Sequence, residues 1–244
     1  MKVIILAAGL GSRLKDKTKE FGKAMVYAKG LPLIDYALQF TKIESVSLRY
    51  VVGGFGYEIL ETHLKTKNHP RIELLKNEDF KKGNLLTLKA ALKAFDDDIL
   101  IMNVDHIYNP AIFTLVTNNI SGITGIVDSD RNLMSDDMKV LIDDWGRIVD
   151  IDKSLTDYSK GYVGMTTISR SSIPIYLSAV EYVSRNIGEN ANVEAVLRYL
   201  STTETKPKTL DISGFGWLEI DTQEELLNAE KALNTHPQRY PYFH

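Results

Sequence analysis

The chain holds 244 residues, with 29 Lys+Arg against 32 Asp+Glu for a formal charge of −3, and 44% of its residues are hydrophobic. That balance excludes a strongly basic nucleic-acid binder and a disordered chain, and the length suits one large domain or two small ones around a sizeable core. Cysteine is absent, which excludes a disulfide framework, thiolate metal sites and a thiol nucleophile.

Apolar runs rich in Val and Ile alternate with helical patterns, the signal of an α/β fold with a mainly parallel sheet covered by helices on both faces. Val3 to Leu6 reads as the first strand. The single charge at Lys2 before it imitates a signal peptide, but Gly9, Gly11, Arg13 and Lys15 break the run at once and a buried strand explains it better. The cytosol is the expected compartment. A helix is predicted over Asp35 to Ile43, a strand over Leu48 to Val52, a helix over Tyr57 to Leu64 and a third strand over Ile72 to Leu75. Leu85, Leu88, Ala91, Leu92 and Phe95 repeat at helical spacing before a short strand at Ile99 to Asn103. Asp105 follows that strand, at the carboxyl edge where open α/β sheets bind ligands.

Beyond Asp128 the pattern changes. Met138 to Ile142, a polar turn at residues 143–146 and Arg147 to Ile151 read as a β-hairpin. A strand at Val163 to Ile168, helices at Ile173 to Arg185 and Val193 to Leu200, strands at Thr209 to Ile212 and Trp217 to Ile220, and a helix at Gln223 to Leu233 complete the pattern. Residues 236–244 form an aromatic tail expected to be loose or to dock on a second copy. No run approaches the roughly 18 apolar residues of a membrane span, so no membrane insertion is expected.

The segment Leu6-Ala7-Ala8-Gly9-Leu10-Gly11-Ser12-Arg13-Leu14 runs a strand into a loop of small residues that ends on a cation. Such a loop exposes backbone N–H groups and lets the main chain approach phosphates, and a guanidinium adds planar, charge-assisted donors. Arg13, Lys15, Lys17, Lys19 and Lys23 make it basic within an acidic chain; a solvated lysine-rich loop is the plainer alternative. Neither the dinucleotide fingerprint, whose third glycine is replaced by Leu14, nor the Gly-Lys-Ser/Thr of P-loop enzymes is present. The five histidines, His63, His69, His106, His236 and His244, show no ligand spacing, and no nucleophile with a base is apparent.

Leu-Ala-Ala-Gly-x-Gly-x-Arg-Leu after a first strand resembles the signature of the nucleotidyltransferases that make nucleotide-activated sugars, polyols and alcohols. The resemblance extends over almost the whole chain. Lys23 lies where that family has Pro-Lys, with Gly22 in place of the proline. Val51-Val52-Gly53-Gly54-Phe55 resembles its second-strand segment, and Asn77 with Asn84-Leu85-Leu86-Thr87-Leu88 resembles the part that reads base and ribose. Asn84 and Thr87 would share a helix face, although an N-cap with a hydroxyl one turn later explains them equally. Asp105 matches the family's metal-binding aspartate. Trp217-Leu218-Glu219-Ile220-Asp221 resembles the segment that carries its second metal carboxylate, though Asp221 with Glu224 also has capping-box spacing. Met138-Lys139-Val140 and Asp150-Ile151-Asp152-Lys153 resemble two lysine segments on the acceptor side; Lys139 opposite Lys153 would need an anion between them, while exposed edge lysines are the alternative. Gly164 resembles the floor of the acceptor pocket, and Glu194 an acidic segment facing acceptor hydroxyls or a cap.

The resemblance implies a Rossmann-like mixed sheet with a small β-rich acceptor-binding subdomain in one domain over 1–235, divided into a nucleotide half (1–128), an acceptor half (129–220) and a closing helix (221–235), with a tail at 236–244. It implies Mg²⁺-dependent transfer of a nucleoside monophosphate to a phosphorylated acceptor with release of pyrophosphate. Leu6, Ala7, Ala8, Gly9, Gly11, Ser12, Asn77, Asn84 and Thr87 would bind nucleotide. Arg13 would hold the β- and γ-phosphates, Lys23 the α-phosphate, Asp105 and Asp221 the metal, and Lys139, Lys153, Gly164 and Glu194 the acceptor.

Without the long C-terminal domain of the glucose-1-phosphate enzymes, the chain most resembles the inositol-1-phosphate and phosphocholine cytidylyltransferase branch. CTP with inositol 1-phosphate is the first expectation. Phosphocholine would want an aromatic cage, for which Trp145, Tyr158, Tyr162 and Trp217 are available. A hexose or heptose 1-phosphate with UTP or dTTP is the further alternative within the class. A catalytically silent relative that binds nucleotide or sugar phosphate is the alternative outside the enzymes, and two metal carboxylates argue against it. Expected partners are these small molecules and a second copy of the chain, not nucleic acid.

Overall fold

The computed structural model describes residues 1–18, 21–67 and 69–242, apart from the side chains at 15–17. Lys19 of the basic loop, and Phe243 and His244 of the tail, lie outside the described residues.

Residues Val3 to Ala7 are all buried, and they divide between two cores: Val3, Ile5 and Ala7 in one, Ile4 and Leu6 in the other. A strand buried on both faces lies in the middle of a sheet covered twice, as its continuous apolar run predicts. In chain order the elements are β1 (Lys2–Ala7), β2 (Tyr27–Ala28), β3 (Leu31–Pro32), α1 (Leu33–Phe40), β4 (Leu48–Gly53), α2 (Tyr57–Lys67), β5 (Ile72–Lys76), α3 (Asn84–Lys89), β6 (Ile99–Asn103), β7 (His106–Tyr108), α4 (Ala111–Asn118) and β8 (Ile123–Asp128). The remainder is β9 (Lys139–Ile142), β10 (Ile148–Asp152), β11 (Lys160–Ile168), α5 (Ile173–Asn186), α6 (Glu194–Ser201), β12 (Lys208–Asp211), β13 (Trp217–Glu219) and α7 (Gln223–Thr235).

The parallel half of the main sheet runs β6-β1-β4-β5. Beyond β6 the long strand β11 pairs antiparallel with β6 and β8, and its start carries the β9–β10 hairpin. From β1 the chain proceeds to β4 and β5 on one side and then returns to place β6 on the other. The crevice between the carboxyl ends of β1 and β6 is therefore a topological switch point, where such sheets bind ligands.

Two short strands determine what stands in that crevice, and the sequence pattern announces β13 but not β7. β7 pairs antiparallel with β13, so that His106 faces Glu219 and Tyr108 faces Trp217. The Ile220 N–H donates to the Asp105 carbonyl at 2.9 Å, which carries the pairing to the edge of the crevice.

Four local expectations are corrected. The helix expected through Phe95 ends at Lys89 and gives way to a single tighter turn at Leu92–Ala94, because Ala91 and Ala94 bury in a bend that feeds β6. The cap of α7 is Thr222, in a reciprocal box with Glu225, rather than Asp221 with Glu224; the hydroxyl does the capping and the Asp221 carboxylate is left for the crevice. In the hairpin Lys139 pairs with Asp152 rather than facing Lys153, so the register opposes unlike charges.

The tail is the fourth. Tyr240 and Tyr242 are 3% and 6% exposed within the chain's own core, so these rings do not wait for a second copy. Tyr242 packs edge-on against Tyr36 with ring centroids 5.0 Å apart, and its hydroxyl donates to the Tyr108 carbonyl at 2.6 Å. The buried ring and its bonded hydroxyl separate cleanly by mutation. Tyr242→Phe is expected to cost about 1 kcal/mol for the lost hydrogen bond and Tyr242→Ala about 3 kcal/mol or more for the cavity, read from urea unfolding. Equal, negligible costs would show that the tail is not part of the core.

Candidate active site

The loop after β1 is fastened by its carbonyls. Ala8, Gly9 and Gly11 accept from the N–H groups of Phe55, Lys23 and Leu14 at 3.3, 3.1 and 2.9 Å. Gly11 has φ +64°, and a Cβ there would stand 2.7 Å from Thr18 Cγ2 and 3.3 Å from Lys23 Cβ. Glycine is thus needed where the loop passes the base of Lys23. Gly22 is equally constrained, with φ +69° and space for a Cβ closed by the Phe55 carbonyl at 2.4 Å. Proline cannot adopt that φ. Close packing of Gly22 against Phe55 thus sets the backbone route that leads to Lys23.

That route buries Lys23, which is 8% exposed, and delivers its ammonium between two carboxylates. Its Nζ lies 2.6 Å from Asp105 Oδ2 and also bonds Asp221 Oδ1. Arg13, at the rim, pairs with the other oxygen of Asp221 and with Asp136 at 2.7 Å. His106 Nδ1 meets Asp105 Oδ1 at 2.5 Å, and its ring is stacked between Tyr108 and Trp217 at centroid distances of 5.6 and 5.3 Å. Burial works against the Asp105 carboxylate, but the Lys23 ammonium and His106 outweigh it and hold its pKa well below the ordinary range. Burial likewise opposes a charged His106, and the adjacent Asp105 prevails and raises its pKa.

Two cavities open on either side of this pair. The first, about 230 Å³, is bounded by Gly9, Gly11, Ser12, Arg13 and Lys23 of the loop region, with Leu6 and Ala8 from the end of β1 and Asn84 and Thr87 from α3. The second, about 220 Å³, is bounded by Lys153, Tyr162, Gly164, Asn192, Glu194 and Glu219, together with Met138 and His106. Asn84, Asn103, Asp105 and Asp221 line both. A molecule in either cavity thus reaches the same two carboxylates.

Most of the residues singled out from the sequence therefore gather here, and three do not. Ala7 is buried in the core on the other face of β1. Asn77 stands behind the first cavity and donates to the Thr87 hydroxyl at 3.0 Å. Lys139 is buried and gives its ammonium to the carbonyls of Met134, Lys153 and Asp137 at 2.9, 2.8 and 3.4 Å. Its position beside Lys153 fixes the backbone of that residue, while Lys153 itself lines the second cavity.

Sequence reasoning missed Asn103, Asn192 and Asp136. Asn103 closes β6 two residues before Asp105 and was legible from that position; nothing local marks Asp136 as the partner of Arg13. Gly164 sits where the pairing of β11 with β8 shifts register between Tyr162 and Thr166, with φ +71°, and a Cβ there would meet His106 Cε1 at 2.9 Å and Asn103 Nδ2 at 3.1 Å. The irregular strand lets the backbone pass close beneath the second cavity.

Asp105 and Asp221 are hard oxygen donors already drawn to one cation, which fits Mg²⁺, an ion held by one or two carboxylates plus phosphates. No larger cluster of ligating side chains occurs among the described residues.

A glycine loop with two cations at a switch point, beside paired carboxylates shared by two cavities, suits the handling of phosphate groups. Residues 3–131 match the model of the MobA-like NTP transferase domain, and the chain belongs to that family. It is 26% identical over 250 residues to CTP:phosphoglutamine cytidylyltransferase of Campylobacter jejuni, a match covering 93% of this chain and 98% of that protein. It is 24% identical over 234 residues to the bifunctional IPC transferase and DIPP synthase of Rubrobacter xylanophilus; there 94% of this chain spans only 51% of the relative. In fold it resembles the inositol-1-phosphate CTP transferase from T. maritima, with a TM-score of 0.79 at 21% identity over 94% of this chain and 96% of that one. No helix among the described residues is long and apolar enough to cross a membrane.

Glu194 shows what the second cavity costs the fold. It is 7% exposed at the start of α6, and burial raises its pKa. A carboxyl pKa raised by folding gives stability that is full below the unfolded pKa and is lost as pH rises through the folded one. Glu194→Gln is therefore expected to gain in melting temperature on the parent chain as pH rises from about 5 to 8. A difference that stays constant with pH would contradict this environment.

Proposed function

We propose that this chain is a cytidylyltransferase that transfers CMP from CTP to inositol 1-phosphate. An oxygen of the acceptor's phosphate attacks the α-phosphorus of CTP in line, the bond to the β-phosphate oxygen breaks, and pyrophosphate leaves while CDP-inositol forms. The observation that carries this reading is the sharing of Asn84, Asn103, Asp105 and Asp221 by both cavities, since the attacking and attacked phosphates would meet at that wall.

In this reading the glycine loop and Arg13 hold the β- and γ-phosphates and Lys23 turns to the α-phosphate. Asn84 and Thr87 stand beside base and ribose, with Asn77 positioning Thr87. Lys153 takes the acceptor phosphate, and Lys139 positions it from behind. Asp105 and Asp221 would hold Mg²⁺, which neutralises phosphate charge as the two substrates approach. Positioning and charge neutralisation then account for most of the catalysis. Both the nucleotide half (1–128) and the acceptor half (129–220) build the second cavity, to which 1–128 lends Asn84, Asn103, Asp105 and His106.

The choice of a polyol rests on the second cavity's chemistry. Asn103, Asn192, Glu194 and Glu219 offer donors and acceptors suited to hydroxyl groups. An aromatic cage is not assembled: Trp145 is 77% exposed on the hairpin turn, Trp217 is covered by His106, Tyr158 lies over Lys139, and of the four only Tyr162 lines the cavity. CTP is supported by the similarity to cytidylyltransferases.

The test is pyrophosphate release with Mg²⁺ and each of CTP, UTP, dTTP and ATP, against inositol 1-phosphate, phosphocholine, phosphoglutamine and glucose 1-phosphate. Release with CTP and inositol 1-phosphate is expected. Turnover with phosphoglutamine or phosphocholine in its place would overturn the acceptor while keeping the reaction. Asp105→Asn and Asp221→Asn are each expected to lower kcat at least about a thousandfold, several kcal/mol of lost charge stabilisation, with CTP binding retained. Unchanged turnover in either variant would remove the carboxylates from the chemistry.

A further inference from the structure

At the opposite end of the parallel sheet, a cavity of about 600 Å³ lies between the C-terminal ends of α1 and α2 and the starts of β4 and β5. Its volume is in the range of small-molecule sites. Lys42, Arg49, Lys67, Arg71 and His69 line it, and among the described residues no carboxylate does. Such a gathering of like charge makes the cavity electropositive and favours an anion in it.

The protein's own groups satisfy donors there without supplying charge. Arg49, 4% exposed, donates to Thr41 through its carbonyl and hydroxyl and to the Pro70 carbonyl. Arg71, with φ +59° at the rim, donates to the carbonyls of Glu44 and Val46. The contact with Thr41 suits the C-terminal end of α1, where carbonyls attract cations. These contacts do not account for Lys42 and Lys67, whose ammonium groups make no ion pair or hydrogen bond among the described residues. Burial and the neighbouring Arg71 both lower the pKa of Arg49, a sign that the charges repel. Asp35, bonded to His63 at 2.7 Å, acts on His69 from outside the cavity lining.

His69 points the same way. Its Nε2 is buried and has no hydrogen-bond partner among the described residues. A buried polar atom left unpaired costs about 1–3 kcal/mol, and such atoms are rare in folded chains. Beside these polar groups, Leu38, Pro70 and Ile72 give the cavity an apolar wall.

We infer that this cavity binds a phosphorylated organic anion, whose phosphates meet Lys42, Lys67 and the two guanidinium groups and whose organic part covers the wall at Leu38, Pro70 and Ile72. The site is separate from the carboxylate pair and independent of the reading of the reaction.

Calorimetric titration of the full chain with ADP, adenosine and pyrophosphate tests it, using Lys42→Gln/Lys67→Gln alongside the parent. Both lysines are exposed, so the double variant should melt with the parent and turn over its substrates at the same rate. An ADP-binding component is expected in the parent and should weaken at least about tenfold in the double variant, the loss of one or more charge-assisted contacts. The same component should persist in Arg13→Ala, which separates it from the loop after β1, and should weaken with added salt. Absence of ADP binding at millimolar concentration, or an isotherm unchanged in the double variant, overturns the site. Adenosine binding as well as ADP would overturn the role of the phosphates, and pyrophosphate matching ADP would overturn that of the organic part.

Discussion

The Lys23 ammonium between Asp105 and Asp221 is the contact on which the crevice depends. Two carboxylates brought together away from bulk water repel strongly, and only a cation between them makes the arrangement tolerable. Three separate parts of the chain must agree for this to happen. The backbone at Gly22 must take its positive φ against Phe55, β7 must pair with β13, and Thr222 must take the cap of α7 so that Asp221 is free to face inward. A buried pair held this way is poor evidence of stability for its own sake, which favours a functional reason for keeping it.

The same geometry explains why the crevice has two sides. The main sheet supplies the loop after β1 and the end of β6, while the irregular strand β11 and the start of α6 enclose the opposite cavity. At the boundary, the missing side chain at Gly164 leaves the room that the imidazole holding Asp105 occupies. Asn84 ties the sides together as well, since its side-chain oxygen accepts from the Val193 N–H at 2.8 Å, just before α6. In the proposed reaction, the residues that bind nucleotide and those that bind acceptor are therefore not independent modules.

Much of this was legible in the sequence because it rests on local rules. Continuous apolar runs marked β1, β4 and β6, and the small-residue loop ending at Arg13 could be read as a phosphate cradle from its composition. Asp105 could be placed at the carboxyl edge from the end of one strand. What was not legible depends on partners distant in the chain. Three residues of β7 have no periodicity of their own and become a strand only against β13. Lys139 looked like a free cation, yet its direction is set by the carbonyls at 134, 137 and 153. The capping spacing of Asp221 with Glu224 was real, but Thr222 with Glu225 offered the same spacing one residue later and prevailed. The aromatic tail read as loose or as a contact for a second copy, and its two tyrosines found the core because Tyr36 and Tyr108 leave a place for them.

In the proposed reaction Lys23 and a divalent cation are drawn to the same carboxylate oxygens, and a triphosphate resolves the competition by engaging Lys23. Mn²⁺ binding, followed by its effect on water proton relaxation with and without CTP, tests this directly. Weak Mn²⁺ binding alone, at least about tenfold tighter with CTP present and tighter without CTP in Lys23→Met, is the result expected from relieving one like charge. Equal Mn²⁺ affinity in all three conditions would contradict the claim, because the ammonium and the metal would then not share a site.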